Sequence, residues 1–239
     1  MDMMLVLLII GIFSGFFIQT ISGFAGALVA LPFLLFVMPI AEAVTYISIF
    51  YFLSTPIYFY KEWKNMDKDL LKKLAITSFI GILIGSVVLL YGQPQILKKA
   101  LGLFIVLFVL NSLINKNEKQ LGFKMKSLFG ILGGFFSGVF STGGPLYVMV
   151  IKNETADIKT FRATMFGILG LVSVMRISVL VFEGVLTTTE LYNSMYVLPF
   201  FIVALVLGKI VYSKLNEEFL KKFILALLFV SGAVLLFKN

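Results

Sequence analysis

The sequence predicts an all-α polytopic membrane protein built from two inverted-topology repeats of about five segments each, and three observations carry that reading. Hydrophobic residues make up 60% of the 239 and charged ones only 13%, with mean hydropathy +1.04. A water-soluble domain has no interior large enough to hide so much apolar surface. Apolar segments recur along the chain with lysine-bearing loops between them. Finally, a short glycine-broken pair of segments opens each half, the arrangement that marks the substrate site in inverted-repeat transporters.

Ten apolar segments run over 3–19, 24–38, 42–60, 74–92, 97–114, 126–141, 144–151, 161–182, 191–212 and 219–237. The third to fifth and eighth to tenth hold about 18 to 22 residues, enough to cross ~30 Å of hydrocarbon. The first and second are shorter and separated by the turn around Ser22–Gly23. The sixth and seventh are also short, separated by Gly143-Gly144-Pro145. No small-residue cleavage pattern follows the first segment, which therefore reads as a retained membrane segment and not a removable signal peptide. Phe13-Ser14-Gly15-Phe16-Phe17 resembles Phe136-Ser137-Gly138-Val139-Phe140 at an offset of 123 residues. With the matching segment lengths, this points to internal duplication. Residues 1–114 form the first repeat, 115–125 a polar cytoplasmic linker and 126–239 the second repeat.

Lysine and arginine set the orientation. With all ten segments crossing, the loops on one side carry fifteen of them, from Lys61 to Lys222, against Lys98, Lys99 and Lys238 on the other. The rich side is cytoplasmic, which puts both termini outside a cytoplasmic (inner) membrane. Reading each short pair as a re-entrant hairpin removes two crossings per half and leaves every later loop on its side. The number per half stays odd, so the second half is inserted upside down relative to the first.

The same composition narrows the function. There is no cysteine and no histidine, so neither thiolate or imidazole metal ligands nor a histidine base is on offer, and no cofactor is expected. Asp2, Asp67, Asp69 and Asp157 lie at an end or in loops, which argues against aspartyl intramembrane proteolysis. The net charge of +8 resides in loops that orient the chain, so no nucleic-acid partner is expected. A transporter is the expectation, with membrane lipid around it; a drug/metabolite-type carrier and an anion channel are the alternatives.

The two breaks hold the candidate substrate residues. Ser141 and Thr142 end one half-helix, and Pro145 suits the first turn of the next, where its missing N–H costs nothing. Gly143 and Gly144 are free to take positive φ and to let a ligand approach the backbone. The free N–H groups and positive dipole end of the following helix attract an anion. In the first break Gln19, Thr20 and Ser22 interrupt an apolar run beside Gly23 and Gly26, and Pro32 kinks or ends the next segment. Tight helix packing through small residues is the competing explanation for both breaks.

Gly15 to Pro32, with its Ser22-Gly23-Phe24-Ala25-Gly26-Ala27, resembles the N-terminal signature of the sulfite exporter TauE/SafE family, also called the toluene sulfonate uptake permease family. Gly133 to Leu146 resembles its second signature. The paired occurrence at half-chain spacing extends the likeness over essentially the whole chain. Ser141 departs from the family's second motif by replacing a glycine, one glycine is missing before Pro145, and Ala25 stands where glycine is frequent. The resemblance implies movement of small sulfur-containing anions such as sulfite or organosulfonates. Neither break contains an acidic residue, which independently permits an anion.

Arg176 is the one arginine deep in a segment, about 6 Å outward of its centre at ~1.5 Å per residue. An intramembrane charge is a functional candidate, here a substrate counter-charge. The competing reading is an arginine that snorkels outward to Glu183. Glu42, Glu183 and Glu190 near the outer side are candidates for relaying coupled protons, against the alternative of plain rim carboxylates.

Overall fold

Each apolar segment becomes a helix, because a chain inside hydrocarbon must satisfy its backbone within itself. The computed structural model describes residues 3–114, 121–155, 157–212 and 217–237. The helices are α1 (Met3–Ser22), α2 (Gly26–Leu34), α3 (Ile40–Glu62), α4 (Lys68–Tyr91), α5 (Pro94–Ile114), α6 (Phe123–Phe140), α7 (Gly144–Glu154), α8 (Ile158–Phe182), α9 (Thr188–Tyr212) and α10 (Glu217–Phe237). Among the described residues there is no strand. Most of the expected linker, 115–120, lies outside those residues, and α6 already begins at Phe123, three positions before the expected second repeat.

Polar residues fix the loop-side ends. The Asp67 carboxylate accepts from Leu70 N–H at 3.0 Å and starts α4; Asp157 accepts from Thr160 N–H at 2.9 Å and starts α8. Both are side-chain N-caps. Within α2, Pro32 neither kinks the helix into a break nor ends it, since the helix continues to Leu34. In a nine-residue helix the carbonyl facing that ring belongs to the first turn, so little is lost.

Among the described residues, six helices are long and apolar enough to cross a membrane: α1, α3 with its short 3-10 extension to Asn65, α4, α5, α8 and α9. The membership differs from the sequence expectation at the first segment. α1 runs on through Gln19–Ser22 to 20 residues, because its polar residues find partners without leaving the helix. In α10 the described apolar part is Leu228–Phe237.

The short helices fold back on the long ones that precede them. Gly15 of α1 faces Gly26 and Ala30 of α2, while Gly11 faces Ala30 and Leu34, so α1 and α2 form an antiparallel hairpin. A Cβ at Gly15 would lie 2.7 Å from the Gly26 carbonyl oxygen, so only glycine allows the helices this close. In the same way Gly133 of α6 faces Tyr147 of α7 and Gly143 backs onto Gly133. Gly15 and Gly133 correspond at an offset of 118 residues, as do the first residues of the short helices, Gly26 and Gly144. The Phe13–Phe17 match at 123 is therefore five positions out of register with the hairpins it seemed to align. In a Phe- and Gly-rich chain the pentapeptide recurs by composition, whereas close backbone approach pins the glycines.

Between the halves, α4 packs along α6, α1 along α9, α3 along α8 and α5 along α10. Exchanging each helix for its counterpart five places on carries the α4–α6 pair onto α9–α1 and returns the other two pairs to themselves. The outcome is a bundle whose centre is α3 and α8, flanked by the two hairpins.

Candidate functional site

The two breaks meet. A Cβ at Gly144, the first residue of α7, would lie 2.8 Å from the carbonyl oxygen of Phe24 and 3.1 Å from its Cβ. Phe24 belongs to the turn between α1 and α2, so the turns of both hairpins touch at this point.

The first break is closed by its own protein partners. Gln19 is 1% exposed, and its Oε1 accepts from Gly26 N–H at 3.0 Å and from the Tyr51 hydroxyl at 2.7 Å. Ala27 N–H donates to the Tyr51 hydroxyl oxygen at 3.3 Å. Gln19 and Tyr51 together occupy the first free N–H groups of α2, the place an anion would take. Ser22 donates to Ile18 O at 2.8 Å and accepts from Ala25 N–H at 3.2 Å, holding the turn. Gly23 takes φ +89°, where a side chain would be strained. Thr20 donates to Phe16 O at 2.8 Å, and its hydroxyl lies 3.1 Å from that of Tyr58. Arg162 donates from Nη2 to Thr20 O at 2.5 Å and lays its guanidinium 3.5 Å from the centre of the Tyr212 ring. A cation at the last carbonyls of α1 answers the negative end of the helix dipole.

The second break leaves several of its polar groups without protein partners. Ser141 sits at φ 60°, ψ 13°, left-handed, the one such non-glycine among the described residues. Its N–H donates to Ser137 O at 2.9 Å and Thr142 N–H donates to Phe136 O at 3.3 Å, closing the last turn of α6. Gly143, expected as a positive-φ residue, is right-handed at φ −66°; the conformation glycine would favour is imposed on Ser141 instead. Ser141 and Thr142 are 3% and 2% exposed, yet neither hydroxyl has a hydrogen-bond partner. Among the described residues the N–H groups of Gly143 and Gly144 have no protein acceptor either. Unmet buried polar groups are costly and uncommon in native structures. Here four of them lie within four consecutive residues at the start of α7.

Arg176 stands beside this break. It is 2% exposed; Nε donates to the Ser48 hydroxyl at 2.7 Å and Nη1 donates to Ser137 O at 2.8 Å. Ser137 O thus receives both the guanidinium and the N–H of Ser141. Nothing joins Arg176 to Glu183: the arginine turns inward, and the snorkelling reading fails. Ser48 and the Ser137 carbonyl in the last turn of α6 lie within hydrogen-bond reach of the guanidinium, which fixes it inward.

Of the sequence candidates, Ser141, Thr142, Gly143, Gly144 and Arg176 come together around the α6 end. Gln19 adjoins them through the α2 start, whereas Thr20, Ser22 and Gly23 are taken up by Arg162, Tyr58 and the turn. Ser48, Ser137, Tyr51 and Arg162 were missed. Ser48 and Tyr51 are polar residues in the apolar middle of α3, a visible signal; Arg162 reads as an ordinary loop charge until α8 is known to begin at Ile158.

Helices long and apolar enough to cross a membrane, with two broken hairpins whose turns touch, define a multi-pass membrane protein. The sulfite exporter TauE/SafE family model matches residues 7–235, and the chain belongs to that family. No curated protein and no solved structure matches it. Family membership makes this a transport protein of the membrane, of the sulfur-anion exporter type.

Proposed function

We propose that the chain is a secondary carrier moving small sulfur-containing anions, such as sulfite or organosulfonates, across the cytoplasmic membrane by alternating access. The break between α6 and α7 is its anion seat. One observation carries this reading: a buried guanidinium with no carboxylate lies beside two buried, unpartnered hydroxyls and a helix N-terminus. An anion there accepts from the Ser141 and Thr142 hydroxyls and the Gly143 and Gly144 N–H groups, while Arg176 supplies the countercharge. α2 offers no equal seat, because Gln19 and Tyr51 already take its N–H groups. Gln19 is then a positioning residue, and Thr20, Ser22 and Gly23 shape the turn that closes over the seat.

The contact between Phe24 and Gly144 supports alternating access. With the turns touching, the seat is covered; parting them opens α7 to one side of the membrane. The exchange of helix pairs between halves supports inverted repeats, and the lysine bias supports cytoplasmic loops with both termini outside. Glu42 and Glu190 begin α3 and α9, and Glu183 follows α8, so coupled protons would enter at helix ends and not at Arg176.

Proteoliposomes loaded with sulfite, sulfate, thiosulfate, taurine or carboxylate analogues, with and without a pH gradient, test the reading. Saturable uptake with counterflow of sulfur anions is expected. Unsaturable current would make the protein a channel, and flux of unrelated organic solutes alone would make it a different carrier.

A further inference from the structure

We propose that the α6–α7 seat selects by charge state, taking monoanions such as hydrogensulfite or an alkanesulfonate and refusing dianions of the same size such as sulfate. This rests on the seat assigned above and adds a rule for which sulfur anions it accepts.

The charges around the seat can be counted. Arg176 contributes one full positive charge, since a guanidinium does not lose its proton in a protein. Its Nη1 bond to Ser137 O ties it to the negative end of α6, while Gly143 and Gly144 begin α7 at its positive end. Those helix ends carry roughly −0.5 and +0.5 of a charge and offset each other. No acid lies mid-helix: α1, α2, α5, α6 and α8 contain no aspartate or glutamate, and those of α3, α4, α7, α9 and α10 lie within three residues of a helix end. Among the described residues the ion pair is Lys126 with Glu154, at the far end of α7. Arg162, the other arginine, lies at the α1 end, bonded to Thr20 O and stacked on Tyr212, and not among the groups at the α6–α7 break.

The seat's own groups therefore carry about one net positive charge in an apolar interior. A monoanion brings it to neutrality. A dianion leaves one uncompensated negative charge, and its own desolvation cost is larger because that cost grows with the square of the charge. Even a single unpaired ion is strongly disfavoured in a protein interior. Hydrogen bonding points the same way. The hydroxyls of Ser141 and Thr142 can each donate one proton and also accept one, so they suit an ion that keeps a proton, such as hydrogensulfite. Sulfate spreads twice the charge of methanesulfonate over a similar size, and the four free donors at the start of α7 cannot replace its water shell.

Methanesulfonate and sulfate provide the test, being tetrahedral sulfur oxyanions that differ by one methyl against one charged oxygen. Competition against a labelled alkanesulfonate is measured on the purified protein in proteoliposomes. Sulfite itself is run on the acid and the alkaline side of its second ionisation. Methanesulfonate should compete on the order of tenfold or more better than sulfate. Sulfite should weaken as it loses its second proton, while methanesulfonate stays level over the same range. Arg176→Lys should keep the preference, and Arg176→Gln should reduce methanesulfonate binding most. Equal competition by sulfate, or sulfite affinity that holds or rises on the alkaline side, overturns the charge rule and leaves the carrier reading standing. If no sulfur anion competes at all, the carrier reading falls and the rule falls with it.

Discussion

Arg176 and Ser141 share one acceptor: the carbonyl oxygen of Ser137 receives the guanidinium Nη1 at 2.8 Å and the Ser141 N–H at 2.9 Å. A cation buried in α8 is thereby fastened to the residue whose left-handed backbone turns α6 into α7. Anything that moves the turn also moves the charge.

Removing that charge should cost affinity before it costs structure. Bonds to a charged group contribute about 1.5–3 kcal/mol, so Arg176→Gln should weaken anion binding roughly 10- to 100-fold. Arg176→Lys should recover part of the loss, because the charge remains while the planar fork does not. Equilibrium binding of methanesulfonate to the purified variants checks both. Unchanged affinity in Arg176→Gln would remove Arg176 from the seat.

The adjacent glycines should separate. A Cβ at Gly143 runs into the Gly133 backbone and the Ser137 hydroxyl, inside the α6–α7 hairpin itself. Gly143→Ala should therefore lower the yield of folded protein. A Cβ at Gly144 meets Phe24 across the two breaks, so Gly144→Ala should fold and insert but lose most transport. Thermal stability and flux measured on the same preparations distinguish the two.

Gln19 should behave as a structural residue. Gln19→Leu strips the Oε1 acceptor from Gly26 N–H and Tyr51, and each buried group left unmet costs about 1–3 kcal/mol. The midpoint of thermal unfolding should fall clearly, while the methanesulfonate affinity of the remaining folded protein holds within a few-fold. A selective loss of affinity with normal stability would give Gln19 a direct part in binding.

At the second break stability and function should oppose each other. Thr142→Val removes a buried hydroxyl that has no partner and should raise stability by about 1 kcal/mol, yet weaken anion binding. Ser141→Gly relieves a left-handed backbone costing roughly 1 kcal/mol and should also stabilise. Thermal shift without ligand, followed by the additional shift with methanesulfonate, measures both halves of the trade.

The helices were legible because hydrophobic runs and glycine breaks are local signals. α7 begins at Gly144, where the sequence reading began it. α1, in contrast, runs through polar Gln19 and Thr20 to Ser22, because Tyr51 and Arg162 arrive from distant parts of the chain to satisfy them. The same reason hid the asymmetry between the breaks. Both look like helix N-termini with hydroxyls nearby, and only tertiary partners decide that one is filled and the other is not. Arg176 was visible as an intramembrane charge. Its inward direction was not, since that depends on Ser48 and on the end of α6.

The central claim is that the α6–α7 break, and not the α1–α2 break, holds the anion. The chain has no cysteine, so Thr142→Cys and Ser22→Cys each introduce a single thiol. The rate of thiol modification of each variant, with and without saturating methanesulfonate, tests the claim directly. Protection by the anion at position 142, with no change at position 22, is the predicted result. Protection at 22 with none at 142 would contradict it.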